Sequence, residues 1–62
     1  MTALTWQPLG RTGRSYRSSD GRWTINRLSR LWELWDHADP ENPTYHESRR
    51  EAELCAEGHA DA

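Results

Sequence analysis

The alternation of apolar and polar residues is clearest in segment 16–26. Asp20-Gly21 interrupts it and is typical of a two-residue hairpin loop, because a type I′ turn needs positive φ at both central residues. Beyond the turn, Trp23 and Ile25 alternate with polar residues at the period of a half-buried strand. The pattern therefore predicts a β-hairpin with a type I′ turn, in which Trp23 and Ile25 face the core.

Segment 28–37 carries two overlapping patterns. A helix there would have an apolar stripe at positions i, i+3, i+4 and i+7, formed by Leu28, Leu31, Trp32 and Trp35. A strand would instead place Trp32 and Leu34 on the core face, with Glu33 and Trp35 on the opposite face. Because an isolated hairpin is marginally stable in water, a third strand would complete a sheet. We predict a strand over 31–36 and keep a β-hairpin plus two helices as the alternative.

A helix is predicted after the loop 39–43, which contains two prolines and an asparagine. Ser48 and Glu51 have the spacing of a capping box, and Gly58 is a typical C-terminal stop. Small residues recur on one face at helical spacing, which lets the helix lie close to a sheet of large side chains. These residues are Ala52, Cys55 and Ala56.

Together these elements predict an α+β fold, with a three-stranded antiparallel sheet packed on one C-terminal helix. A chain of 62 residues forms one small domain at most. We expect an extended lead-in over 1–13, a β-β-β-α minidomain over 14–59 and a tail over 60–62. Large sheet side chains are expected to pack on the small face of the helix. They are Tyr16, Trp23, Ile25, Trp32, Leu34 and Tyr45.

Charge is divided unevenly along the chain, whose net charge is −2. Residues 1–35 hold six arginines and two acidic residues, whereas residues 36–62 hold two arginines and eight acidic residues. This division indicates one basic face and one acidic face. The single cysteine, Cys55, cannot form an internal disulfide, and no apolar run approaches the ~20 residues of a membrane span. We therefore expect a cytoplasmic protein with no membrane partner.

Several short runs resemble those of a known group of proteins. The runs YRSSDGRWTI, WELWD and EAELCAE, with Tyr45 between the last two, are similar to small β-β-β-α proteins of actinobacteria and their phages. The resemblance covers about residues 15–59. The predicted architecture is also similar to the arm-binding domain of phage tyrosine integrases, whose exposed sheet face enters the major groove of DNA. Carried over by position, the resemblance implies DNA contacts from Arg17, Arg22, Thr24 and Asn26, in the cytoplasm of a host cell.

The residue types of this outward row also suit nucleic acid. Arginine can donate two hydrogen bonds to guanine, asparagine can pair with adenine, and strands can enter the major groove. Phosphate contacts could come from further arginines near the predicted turns, namely Arg11, Arg14, Arg27 and Arg30. Glu33 and the net negative charge count against binding to DNA.

A protein partner is the alternative. An exposed tryptophan close to arginines has the composition of an interface hot spot. This interpretation assigns partner contacts to Trp35, Arg27 and Arg30.

Catalysis and metal binding find little support in the sequence. The spacing of the candidate metal ligands matches no familiar zinc pattern. These ligands are His37, His46, Cys55 and His59. Nothing in the sequence orients Cys55 and His59 as nucleophile and base, and so short a chain has no room for a deep pocket. We therefore expect a non-catalytic binding module without cofactor, metal or small-molecule substrate. It would be a phage or mobile-element accessory protein that contacts DNA or, alternatively, docks on a host or partner protein.

Overall fold

The computed structural model describes residues 4–60 of the chain. Its elements are β1 (Trp6–Pro8), β2 (Ser15–Ser18), β3 (Trp23–Arg27), β4 (Trp32–Asp36), β5 (Thr44–His46) and α1 (Arg49–Ala60). Each strand is antiparallel to the next, so the order of strands across the sheet is their order in the chain. The helix α1 packs on β3, β4 and β5 from one side of the sheet.

The predicted α+β class, antiparallel sheet and C-terminal helix are confirmed, but the sheet has five strands and not three. The predicted strands are β2, β3 and β4. The strand β1 lies within segment 1–13, where Trp6 packs against the core and positive φ angles at Gly10 and Gly13 accompany the reversal of the chain into β2. Strands of three residues are too short to show a period-two pattern. Residues 1–3 of the predicted lead-in and residues 61–62 of the predicted tail lie outside the described residues.

The alternative helix over 28–37 is wrong, because residues Trp32–Asp36 form β4. Every residue of β4 has a partner on β3, with Ile25 opposite Leu34 at the centre. Strand pairing and the burial of Leu34, which is 2% exposed, override the helical spacing of the apolar residues.

The core lies between β3, β4 and α1. Ile25, Ala52 and Ala56 are completely buried, and Trp23 is 3% exposed. Tyr16, Trp32 and Cys55 pack around them as partly buried residues. The predicted core is thus confirmed with one exception, because Tyr45 is 53% exposed. Its neighbours Thr44 and His46 pair with core-facing residues of β4, so alternation in β5 turns Tyr45 away from the helix.

The turn between β2 and β3 is a hairpin turn, as predicted, but it is not of type I′. Gly21 has a φ of 76°, whereas Asp20 has no positive φ. The amide of Gly21 donates to the carbonyl of Ser18 at 3.0 Å. The Asp20 carboxylate accepts hydrogen bonds from the Ser18 hydroxyl at 2.5 Å and from the Arg22 amide at 3.0 Å. These bonds stabilise a turn over 18–21 that ends in one left-handed glycine.

The helix starts with half of the predicted capping box. The Ser48 hydroxyl accepts the Glu51 amide hydrogen at 3.1 Å, as expected. The Glu51 carboxylate accepts from the amide of Glu47 at 3.3 Å, one residue before the predicted donor. The predicted stop at Gly58 is wrong, since α1 continues to Ala60 and Gly58 does not adopt the positive φ of a glycine stop.

Candidate binding surfaces

One face of the sheet faces away from α1 and is here called the open face. Its side chains are Gln7, Ser15, Arg17, Thr24, Asn26, Glu33, Trp35 and Tyr45. Strand pairing arranges them in two rows across the sheet, Gln7–Arg17–Thr24–Trp35 and Ser15–Asn26–Glu33–Tyr45. No helix or strand within residues 4–60 packs across this face.

Trp35 lies on the open face, as the strand interpretation predicts. Arg17 is two strands away from it in the same row. The guanidinium of Arg27 lies 5.7 Å from the ring centre of Trp32, whose strand position alternates away from that of Trp35. Arg30 lies in the turn between β3 and β4. The predicted group of Trp35, Arg27 and Arg30 is therefore not brought together, because cross-strand register and not sequence distance decides which residues meet.

Glu33 stands at the centre of a hydrogen-bond chain on the open face. Its Oε1 accepts from the indole N–H of Trp35 and from Nδ2 of Asn26, the latter at 3.4 Å. The Oδ1 of Asn26 in turn accepts the Ser15 hydroxyl hydrogen at 2.8 Å. These hydrogen bonds hold the Trp35 ring in place and engage both Nδ2 and Oδ1 of the Asn26 amide.

A shallow depression of about 320 Å³ opens on this face beside Trp35. Its lining is formed by Arg17, Thr24, Asn26, Trp35, Asp36, His37 and Pro40. The Thr24 hydroxyl and Nε2 of His37 lie 2.7 Å apart and form one wall. Arg17, Thr24 and Asn26 therefore do lie together, as the predicted nucleic-acid surface requires.

Arg22, the fourth residue of that predicted surface, is held elsewhere. Its Nε and Nη2 donate to the two carboxylate oxygens of Asp36, each at 2.9 Å. Its guanidinium also lies 4.8 Å from the ring centre of Trp23, a core residue. Arg22 precedes β3, so the alternation that would have placed it beside Thr24 does not extend to it.

The Arg22 contact changes the acidity of its partner. The hydrogen bond from the Arg22 guanidinium, helped by the Ala38 amide, holds the pKa of Asp36 below its ordinary value of 3.8, although burial opposes the shift. At the adjacent turn, the Ser18 hydroxyl and then the Arg22 amide lower the pKa of Asp20 in the same way. Both carboxylates are therefore held in the charged form to a lower pH than an ordinary aspartate.

The sequence-level candidates for metal binding lie apart. His46 bonds to the Thr44 hydroxyl at 2.9 Å, His37 bonds to Thr24, and the His59 ring lies 5.8 Å from that of Trp23. Cys55 packs against the core. Among residues 4–60, no three or more histidine, cysteine or acidic side chains are grouped so that they could hold a metal ion.

Charge is separated between the ends of the sheet, which corrects the expected division into a basic and an acidic face. The end formed by loop 9–14, turn 28–31 and the start of α1 is here called the basic end. It carries Arg11, Arg14, Arg27, Arg30, Arg49 and Arg50, together with Glu47, Glu51 and Glu53. The opposite end, formed by turn 19–22 and loop 37–43, carries Asp20, Asp36, Asp39 and Glu41 together with Arg22. Alternating strand directions gather charges from distant parts of the sequence at each end.

Comparison of the chain with protein-family models, with curated proteins and with solved structures gives no match in any of the three. Within residues 4–60, no helix has the length and apolar character that a membrane-crossing segment needs. Function is therefore argued from the surfaces themselves.

Proposed function

We propose that the protein is a non-catalytic binding module whose open face docks on a partner protein. The observation that carries this proposal is the position of Trp35 on a face that no described element covers. Tryptophan, tyrosine and arginine are the residues most enriched at interface hot spots. Trp35, Tyr45 and Arg17 bring all three types onto one face of a single sheet.

The arrangement of Trp35 favours a protein partner. Its ring is fixed by the hydrogen bond to Glu33, so little side-chain freedom is lost on binding. Glu33 keeps a second carboxylate oxygen that could accept from a lysine or arginine of the partner. A partner with an apolar contact for Trp35 beside a basic side chain for Glu33 would match both features. The role of a phage or mobile-element accessory factor that docks on a host protein agrees with this chemistry.

Binding of DNA through the same face is the second candidate. The contiguity of Arg17, Thr24 and Asn26 favours it, since these residue types read base edges in the major groove. Three features count against it. The Glu33 carboxylate repels phosphate, the Asn26 amide is already bonded at both ends, and Arg22 is paired with Asp36.

Crosslinking in an extract of the native host would test the protein interface. A photoreactive group placed on the open face, at Gln7 beside Arg17, should label a discrete partner. Trp35→Ala and Arg17→Ala should each abolish labelling. Leu54→Ser is the matched control, because Leu54 is a 50% exposed apolar residue on the helix and not on the sheet.

Two results would count against the proposal. Labelling that survives both open-face variants, or that Leu54→Ser removes equally, would show that the face is not the interface. Binding of duplex DNA that is lost in Asn26→Ala and Arg17→Ala would replace it with the second candidate.

A further inference from the structure

The basic end carries four arginines that are not engaged by acidic side chains. They are Arg11, Arg14, Arg27 and Arg30, all of them exposed. Within residues 4–60, the ion pairs involve Arg22, Arg49 and Arg50 and none of these four. Loop 9–14 and turn 28–31, which supply three of the four, contain no acidic residue. The acidic residues nearby are Glu47, Glu51 and Glu53, in or just before the start of α1, and Glu53 is paired with Arg49 and Arg50.

The fold brings these arginines into neighbouring positions. The amide of Arg27 donates to the carbonyl of Arg14 at 2.6 Å, which ties the end of β3 to the start of β2. Arg14 and Arg27 then line a depression of about 430 Å³ together with Leu28 and Ser29. Adjacent strands are about 4.8 Å apart, so the backbone positions that carry Arg14 and Arg27 lie side by side.

We propose that the basic end binds the phosphodiester backbone of nucleic acid, independently of base sequence and of whatever the open face binds. Guanidinium groups present paired donors that match phosphate oxygens, and nucleic acid repeats its charges at short, regular intervals. The net charge of −2 does not oppose this contact strongly, because the basic end has six arginines against three acidic residues, Glu47, Glu51 and Glu53, and is itself net positive. The four arginines can contact up to four phosphates.

The residues around the arginines favour nucleic acid over other anionic partners. Leu9, Leu28 and Leu31 are exposed at this end, at 41%, 41% and 39%, but they are three single side chains on a loop and a turn. A protein that lies on a lipid surface usually does so through the continuous apolar face of an amphipathic helix. The aromatic residues suited to anchoring a protein, Trp35 and Tyr45, lie on the open face and not at this end.

The test is fluorescence anisotropy of a labelled 20-bp mixed-sequence duplex, titrated with the full chain at several salt concentrations. Each phosphate neutralised contributes a slope of about −0.9 to log K against log salt, so four contacts give about −3.6. Affinity should then fall roughly a hundredfold between 50 and 200 mM salt. The double variant Arg14→Gln/Arg27→Gln should lose about half of that slope.

Two controls separate the basic end from other surfaces. Arg17→Gln removes the same charge from the open face and should leave the slope nearly unchanged. Arg14→Gln/Arg30→Gln repeats the test without touching the contact between Arg27 and Trp32. Circular dichroism melting of each variant checks that the fold is retained.

Four results would overturn the proposal. Three of them concern duplex DNA: the chain does not bind it at 50 mM salt, the two double variants leave the salt slope unchanged, or binding depends on Arg17 and Asn26 instead. Sedimentation with vesicles of anionic phospholipid that exceeds duplex binding, and that Leu28→Ser abolishes, would assign the surface to lipid and also overturn it.

Discussion

Arg22 and Asp36 form a two-bonded ion pair that joins the residue before β3 to the last residue of β4, with both N···O distances at 2.9 Å. The pair closes one end of the central hairpin, directly beside Trp23, the partner of Asp36 in the ladder. Its side chains are partly exposed, at 40% for Arg22 and 16% for Asp36, so its contribution to stability is moderated by solvent.

The Arg22–Asp36 pair should make the stability of the fold decrease as the pH is lowered. The pKa of Asp36 is lower in the folded chain than its ordinary value of 3.8, mainly because of the Arg22 hydrogen bond. The stabilisation is therefore fully present above the unfolded pKa and is lost as pH falls from about 5 through the folded pKa. Urea unfolding followed by tryptophan fluorescence should show a midpoint that decreases over this range. Asp36→Asn should unfold at lower urea at pH 7 and show a smaller further loss in acid. An equal acid loss in the variant and the wild type would contradict this assignment.

Ser18→Ala is expected to destabilise the hairpin through one unpaired amide. Ser18 is 4% exposed, and its hydroxyl oxygen accepts the amide hydrogen of Trp23 at 3.0 Å. Removing that acceptor leaves a buried N–H unsatisfied, which costs about 1–3 kcal/mol of the free energy of unfolding. Ser29→Ala, at an exposed turn position, serves as the control and should change stability little. Chemical denaturation of both variants measures the difference, and similar values for the two would refute the role of Ser18.

Two glycine-to-alanine substitutions should have opposite signs. Gly21 has a φ of 76°, which an alanine adopts at a cost of about 1 kcal/mol, so Gly21→Ala should lower the free energy of unfolding. Gly58 lies within α1 and a Cβ there would meet nothing within 4 Å. Gly58→Ala should therefore raise the free energy by about 0.5–1 kcal/mol, through helix propensity. Thermal melts of the two variants check the signs, and destabilisation by Gly58→Ala would mean that the last turn of α1 does not form.

Leu34 and Trp35 are adjacent in the sequence but should respond very differently to truncation. Leu34 is 2% exposed at the centre of the core, and Leu34→Ala should cost about 2–5 kcal/mol, enough to unfold much of a marginal domain. Trp35 is only partly buried on the open face, so Trp35→Ala should keep the native circular dichroism spectrum. The reverse order of stabilities would indicate that the register between β3 and β4 is shifted by one residue.

The central elements were accessible from the sequence because their signals were local. Asp20-Gly21 marks a turn, and Trp23 and Ile25 alternate with polar residues on a strand long enough to show the period. The strand choice for β4 also gave the correct face for Trp35. The sequence does not reveal the outer strands, because each has only three residues. The outward position of Tyr45 is also not visible in the sequence, because it is set by pairing with Glu33.

The candidate surfaces were less accessible, for a related reason. Arg27, Arg30 and Trp35 are close in the sequence but separate in space, whereas Arg14 and Arg27 are distant in the sequence and joined by a backbone hydrogen bond. The Arg22 side chain pairs with Asp36, and this pairing follows from the register between β3 and β4, which sequence patterns do not give. Sequence patterns predict which face of its own strand a residue occupies, but not which residues of other strands lie beside it.

The order of the strands has a consequence for how the chain folds. Because each strand pairs only with its neighbour in the sequence, every pairing closes a short loop and loses little chain entropy. Folding can start at the central hairpin of β3 and β4 and extend outwards, without inserting a strand between two that are already paired. Such local connectivity is expected to give folding times on the order of milliseconds. The domain would then be complete soon after synthesis, and the edges of β2, β3 and β4 would be exposed only briefly before they are paired.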